Sequence, residues 1–79
     1  MLDKEAVVAL IKNGMDVQEL SVDGDGYHYE LTVVSDAFEN KRTLARQQMV
    51  YALLSEEIKA GNLHALTIKT MTPTEREGQ

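Results

Sequence analysis

"LHALTIKTM", residues Leu63 to Met71, is the stretch on which the fold turns. His64, Leu66 and Ile68 alternate with Ala65, Thr67, Lys69 and Met71, which is the period of two of a half-buried strand. What precedes it decides how that strand is used. Gly61-Asn62 is a helix stop, and before it Leu44, Val50, Tyr51, Leu54 and Ile58 recur at helical spacing from about Leu44 to Ala60. At 100° per residue these five fall in a stripe about 120° wide, with Gln47 as its one polar member. Thr43 is the expected cap of this helix.

Further back, "YHYELTVV" (Tyr27 to Val34) alternates again. Tyr27, Tyr29, Leu31 and Val33 share one face, while His28, Glu30 and Thr32 share the other with Val34. A strand, a helix and a strand joined by short links imply a right-handed crossover, so the last strand should run parallel to this one. Leu20 and Val22 in "VQELSVD" alternate too, and the intervening Asp-Gly pairs read as a hairpin turn. Between strand and helix, Ser35 is placed to cap a single turn, and Asn40 to end it in the left-handed conformation.

At the beginning, Asp3 can cap a helix from about Lys4 to Asn13, with Val7, Leu10 and Ile11 on its apolar side. Asn13-Gly14 is its expected left-handed stop. At the other end, Thr72-Pro73-Thr74-Glu75 has the form of a capping box with proline at the first helical position. The expected fold is α+β: a two-layer sandwich with helices on one face of a small three-stranded mixed sheet. With 79 residues the chain is expected to be a single domain that buries roughly 60% of its unfolded surface, leaving little room for a deep cavity.

Composition narrows the chemistry. There is no cysteine, so the chain supplies neither a disulfide nor a thiolate ligand. Residues 1–30 carry no signal-peptide pattern, because Asp3 and Glu5 come early and no long apolar run follows. No stretch reaches the roughly 18 apolar residues of a membrane span. The expectation is a cytoplasmic protein. A net charge of −5 repels nucleic acid overall, so any contact with it falls to a local patch. Lys41, Arg42 and Arg46 form the basic cluster that would supply one.

"DGDGYHYEL" fails the tests for chemical loops. An EF-hand needs Asp or Asn where Tyr27 stands and glycine where His28 stands. A dinucleotide fingerprint needs glycine at Tyr29, and a P-loop needs Gly-Lys-Ser/Thr. Ser21, Ser35 and Ser55 have no nucleophile-elbow context, and Glu56-Glu57 diverge on a helix. An enzyme is not expected. Two imidazoles remain, His28 and His64, each at the opening of a strand. Imidazole suits zinc, iron or copper, but two histidines make an incomplete site whose other ligands must come from a partner.

These segments resemble the BolA family. "LHALTIKTMTP" (Leu63 to Pro73) is similar to its C-terminal signature, in which a histidine leads into a strand and then Thr-Pro. "VSDAFENK" (Val34 to Lys41) resembles its Phe-Glu-Gly loop, with Asn40 in place of glycine. "RQQMVYALL" (Arg46 to Leu54) resembles its long helix, and "DGDGYHYEL" the hairpin of its IbaG-like branch. The resemblance implies an αββααβ core of the type II KH-like class. It also implies a non-enzymatic protein that pairs with a monothiol glutaredoxin and shares a [2Fe-2S] cluster, in iron homeostasis, cluster trafficking or stress response.

In such a pair the glutaredoxin cysteine and glutathione bring thiolates, and this chain brings His64 plus a second ligand from the hairpin, for which His28 is the candidate. Mixed His/Cys ligation is established chemistry for such clusters. Alone, the chain is expected to be a monomer or a weak homodimer. The alternative implied by the KH-like class is a nucleic-acid-binding transcriptional regulator using Lys41, Arg42 and Arg46. Two departures weigh against it. "FENKRT" holds no Gly-x-x-Gly loop, and Arg46-Gln47-Gln48 stands where many members carry Arg-His-Arg.

Overall fold

A computed structural model describes residues 2–78. Helix α1 (Lys4–Gly14) starts where expected, with the Asp3 carboxylate accepting the Ala6 N–H at 2.9 Å. It leads to strands β1 (Glu19–Gly24) and β2 (His28–Val34), which pair antiparallel with Val22 opposite Leu31. A 3-10 turn (Asp36–Phe38) and helix α2 (Thr43–Lys59) carry the chain to strand β3 (Ala65–Met71), and a short helix α3 (Pro73–Glu77) follows. β3 lies parallel to β2, with His28 opposite Ala65 and Leu31 opposite Ile68. The sheet order β1-β2-β3 is the mixed α+β sheet expected from the crossover.

The helices cover one face. Tyr29, Leu31, Val33 and Ile68 from the sheet meet Val7 and Ile11 of α1 and Val50 and Leu54 of α2, all buried. Phe38 is wholly buried in the same core. Ser35 caps the 3-10 turn through its Oγ, which accepts from Ala37 N–H at 3.1 Å and donates to the Asp16 carbonyl at 2.6 Å. Asn40 follows in the left-handed conformation, φ 62°. Thr72 and Glu75 complete a reciprocal capping box under α3.

Four local expectations change. Gly14 is the last residue of α1 and is not among the residues with positive φ. A Cβ there would press on the methyl end of the half-buried Leu53 side chain where α1 meets α2, so that side chain would have to turn aside. Thr43 is the first residue of α2, preceded by Arg42, which makes no side-chain cap. β3 begins at Ala65, so His64 stands just outside it. Finally, the α2 stripe splits in two. Val50 and Leu54 are buried, whereas Leu44, Tyr51 and Ile58 are 66%, 40% and 37% exposed. Gln47 goes inward, donating from Nε2 to the Ile68 carbonyl at 3.1 Å. That contact covers an outward-facing group of edge strand β3, and it explains a polar residue inside an apolar stripe.

Candidate functional site: the end of the sheet at His64

The hairpin and the start of β3 are built against each other. Asp23 Oδ1 accepts the Gly24 N–H at 2.9 Å. Asp25 Oδ1 accepts the N–H groups of Tyr27 and His28 at 2.9 and 3.0 Å, and these bonds hold its carboxyl below the usual carboxylate range. Gly24 and Gly26 take positive φ, which lets the loop close so tightly. The Tyr27 carbonyl then accepts the Ala65 N–H at 3.1 Å, fastening hairpin to β3.

This scaffold settles the two histidines differently. His28 lies in β2, and its Nε2 meets Thr67 Oγ1 at 3.0 Å on the sheet face away from the helices. His64 is one residue before β3 and turns to the other side. Its ring stacks on Tyr27, with centroids 5.9 Å apart and planes 29° apart. His64 is exposed, and no hydrogen bond or ion pair occupies its ring among the described residues. The structure thus brings His64 together with Tyr27 rather than with His28. Local sequence places Tyr27 only on a strand face, and its pairing with His64 across 37 positions leaves no mark there.

Among the described residues no three His, Cys, Asp or Glu side chains group as a metal site. What this end of the sheet offers is one accessible imidazole. That donor set fits a shared cluster and does not suffice for a resident one.

The basic cluster is divided as well. Arg46 donates from Nη1 and Nη2 to the two Glu75 oxygens at 2.7 and 3.1 Å, and from Nε to the Lys41 carbonyl at 2.7 Å. Its guanidinium also lies 5.9 Å from the Phe38 ring centroid. The ion pair, with the Thr72 N–H, lowers the Glu75 carboxyl to about 2. Arg46 is therefore a clamp between α2 and α3, while Lys41 and Arg42 remain exposed. Among the described residues no helix is long and apolar enough to cross a membrane.

Comparison with known proteins places this geometry. A family model described as BolA-like protein matches residues 8–75. The Acid stress protein IbaG of Escherichia coli (strain K12) is 32% identical over 74 residues, 94% of this chain and 88% of that protein. A BolA protein homologue from Coxiella burnetii has a similar solved structure, with TM-score 0.84 and 33% identity over 98% of this chain and 99% of that one. A Bol-like protein from Babesia bovis matches with TM-score 0.87 and 30% identity, over 99% and 93% of the two chains.

Proposed function

The chain belongs to the BolA family, its similarity to IbaG being consistent with the IbaG-like branch, and from that premise we propose that it works as a non-enzymatic partner protein. In this reading it pairs with a monothiol glutaredoxin and offers His64 to a [2Fe-2S] cluster shared with that partner's thiolate and glutathione. The role served is iron homeostasis, cluster trafficking or stress response. The stress element has support in the name of the Escherichia coli relative.

The observation that carries the proposal is the His64 ring: exposed, beside the sheet's end, and free of protein hydrogen bonds among the described residues. When bound, a [2Fe-2S] cluster supplies iron that accepts an imidazole nitrogen beside thiolate sulfurs. The chain's own contribution is to hold that imidazole at the surface. Buried Leu63 anchors the backbone on one side of His64, and the Ala65–Tyr27 hydrogen bond on the other. His28 is the weaker ligand candidate, because Thr67 already engages its Nε2 on the opposite face.

The test mixes the protein with a cluster-loaded monothiol glutaredoxin and follows visible absorption and circular dichroism. Wild type should shift the spectrum, His64→Ala should abolish the shift, and His28→Ala should leave most of it. A His64→Ala mixture with the wild-type spectrum refutes the ligand assignment.

A further inference from the structure

The sheet face turned away from α1 and α2 holds a cleft of about 360 Å³, at the end where β3 passes into α3. Strand register builds it. Ser21 pairs with Thr32 and Thr32 with Lys69, so three polar side chains stand in one row across the sheet. With strands about 4.8 Å apart, that row is roughly 10 Å wide. The next row is Glu19, Val34 and Met71. Val34 is only 1% exposed although it stands outside the core cluster, and Met71 beside it is half-buried, so the two form an apolar floor. Arg76 closes the end from α3, with its Nε 3.4 Å from Glu19 Oε2.

The donors around this floor are unused. Among the described residues no hydrogen bond or ion pair engages the Ser21 and Thr32 hydroxyls or the Lys69 ammonium. The Arg76–Glu19 contact is single and long, between side chains 48% and 56% exposed, so the guanidinium keeps its Nη donors. Lys69 and Arg76 against Glu19 leave a local charge of one positive unit, in a chain whose total is −5. Glu30 stands one row beyond and does not line the cleft.

We propose that this cleft binds a small monocarboxylate with a short apolar body. The Lys69 ammonium, the Arg76 Nη groups and the hydroxyls of Ser21 and Thr32 take its carboxylate, as charge-assisted donors do, and Val34 and Met71 take its chain. A single negative charge matches the local excess, whereas a dianion such as phosphate meets Glu19 and gains nothing from the floor. The volume is at the lower end of the range for small-molecule sites. His64 belongs to the opposite end of the sheet, where Ala65 pairs with His28, about 13 Å along the strands from Thr32. The inference therefore stands apart from the iron reading.

The test is a titration of the isotope-labelled protein with hexanoate at constant ionic strength, followed by amide and methyl NMR. Shifts should gather at Ser21, Thr32, Lys69, Met71 and Arg76 and saturate with Kd on the order of 1 mM. Acetate, which lacks the apolar body, should bind at least about tenfold more weakly, and inorganic phosphate no better than acetate. Lys69→Gln should weaken hexanoate about fivefold or more and Lys69→Arg should restore it, while Thr32→Val, which keeps the shape and removes the hydroxyl, should weaken it less. Lys69 is exposed, so its variants should leave the rest of the spectrum in place. Shifts that do not saturate by about 20 mM, or that centre on Lys41 and Arg42, overturn the site. Phosphate binding as tight as that of hexanoate overturns the match to a monocarboxylate, and undiminished binding by Lys69→Gln overturns the role of Lys69.

Discussion

Two glycines with positive φ give a controlled measure of what shapes the hairpin beside His64. Gly61 has φ +80° and nothing within 4 Å of an added Cβ, so Gly61→Ala costs only left-handed strain, about 1 kcal/mol. Gly24 has φ +144°, and an added Cβ there would collide with the His28 carbonyl and come within 2.9 Å of the Tyr29 Cα. Both obstacles are backbone, so no side chain can swing aside. Gly24→Ala must bear the strain and also break the last β1–β2 pairing, Gly24 with Tyr29, for about 3 kcal/mol in all. A 79-residue chain has a total stability of roughly 4–12 kcal/mol, so this is a large share. At roughly 4–8 °C per kcal/mol, Gly61→Ala should lower the melting temperature by about 4–8 °C and Gly24→Ala by about 12–24 °C. Thermal unfolding followed by far-ultraviolet circular dichroism separates the two. The His64 ring protons should lose their Tyr27 ring-current shift in Gly24→Ala alone. Equal melting losses for the two variants would refute the claim that the His28 carbonyl constrains the turn.

The other expectations concern the clamp, the core and the sheet edge. Glu75 has a depressed folded pKa of about 2 against an ordinary 4.5, so its stabilising contribution is complete above about 4.5 and is lost as pH falls through 2. Carboxyl NMR should place its midpoint near 2, moving back toward the ordinary value in Arg46→Gln; an unmoved midpoint removes Arg46 as the cause. Phe38→Ala should cost about 3–5 kcal/mol in urea unfolding, because the ring is wholly buried, and a loss below about 1 kcal/mol would contradict that packing. Gln47→Ala should cost about 1 kcal/mol by freeing the Ile68 carbonyl, and hydrogen exchange along β3 should rise with it. Unchanged exchange would mean that the edge is covered some other way.

Sequence alone determined the elements and their order, because those signals are local. Alternation at Tyr29–Leu31–Val33, Asp3 and Ser35 as caps, left-handed Asn40 and the capping box at Thr72–Glu75 each act within a few residues, so their readings survive in the structure. The crossover rule then made β3 parallel to β2. Only tertiary structure decided which side of α2 goes inside, and it left Leu44, Tyr51 and Ile58 out. It also took Arg46 out of the basic patch by setting Glu75 against it, 29 positions away. It set Gly14 against the end of the Leu53 side chain, and it sent His28 to Thr67 and His64 to Tyr27. Each of those outcomes is a contact between distant segments, and side-chain period fixes only the direction a residue leaves its own backbone, never what arrives to meet it.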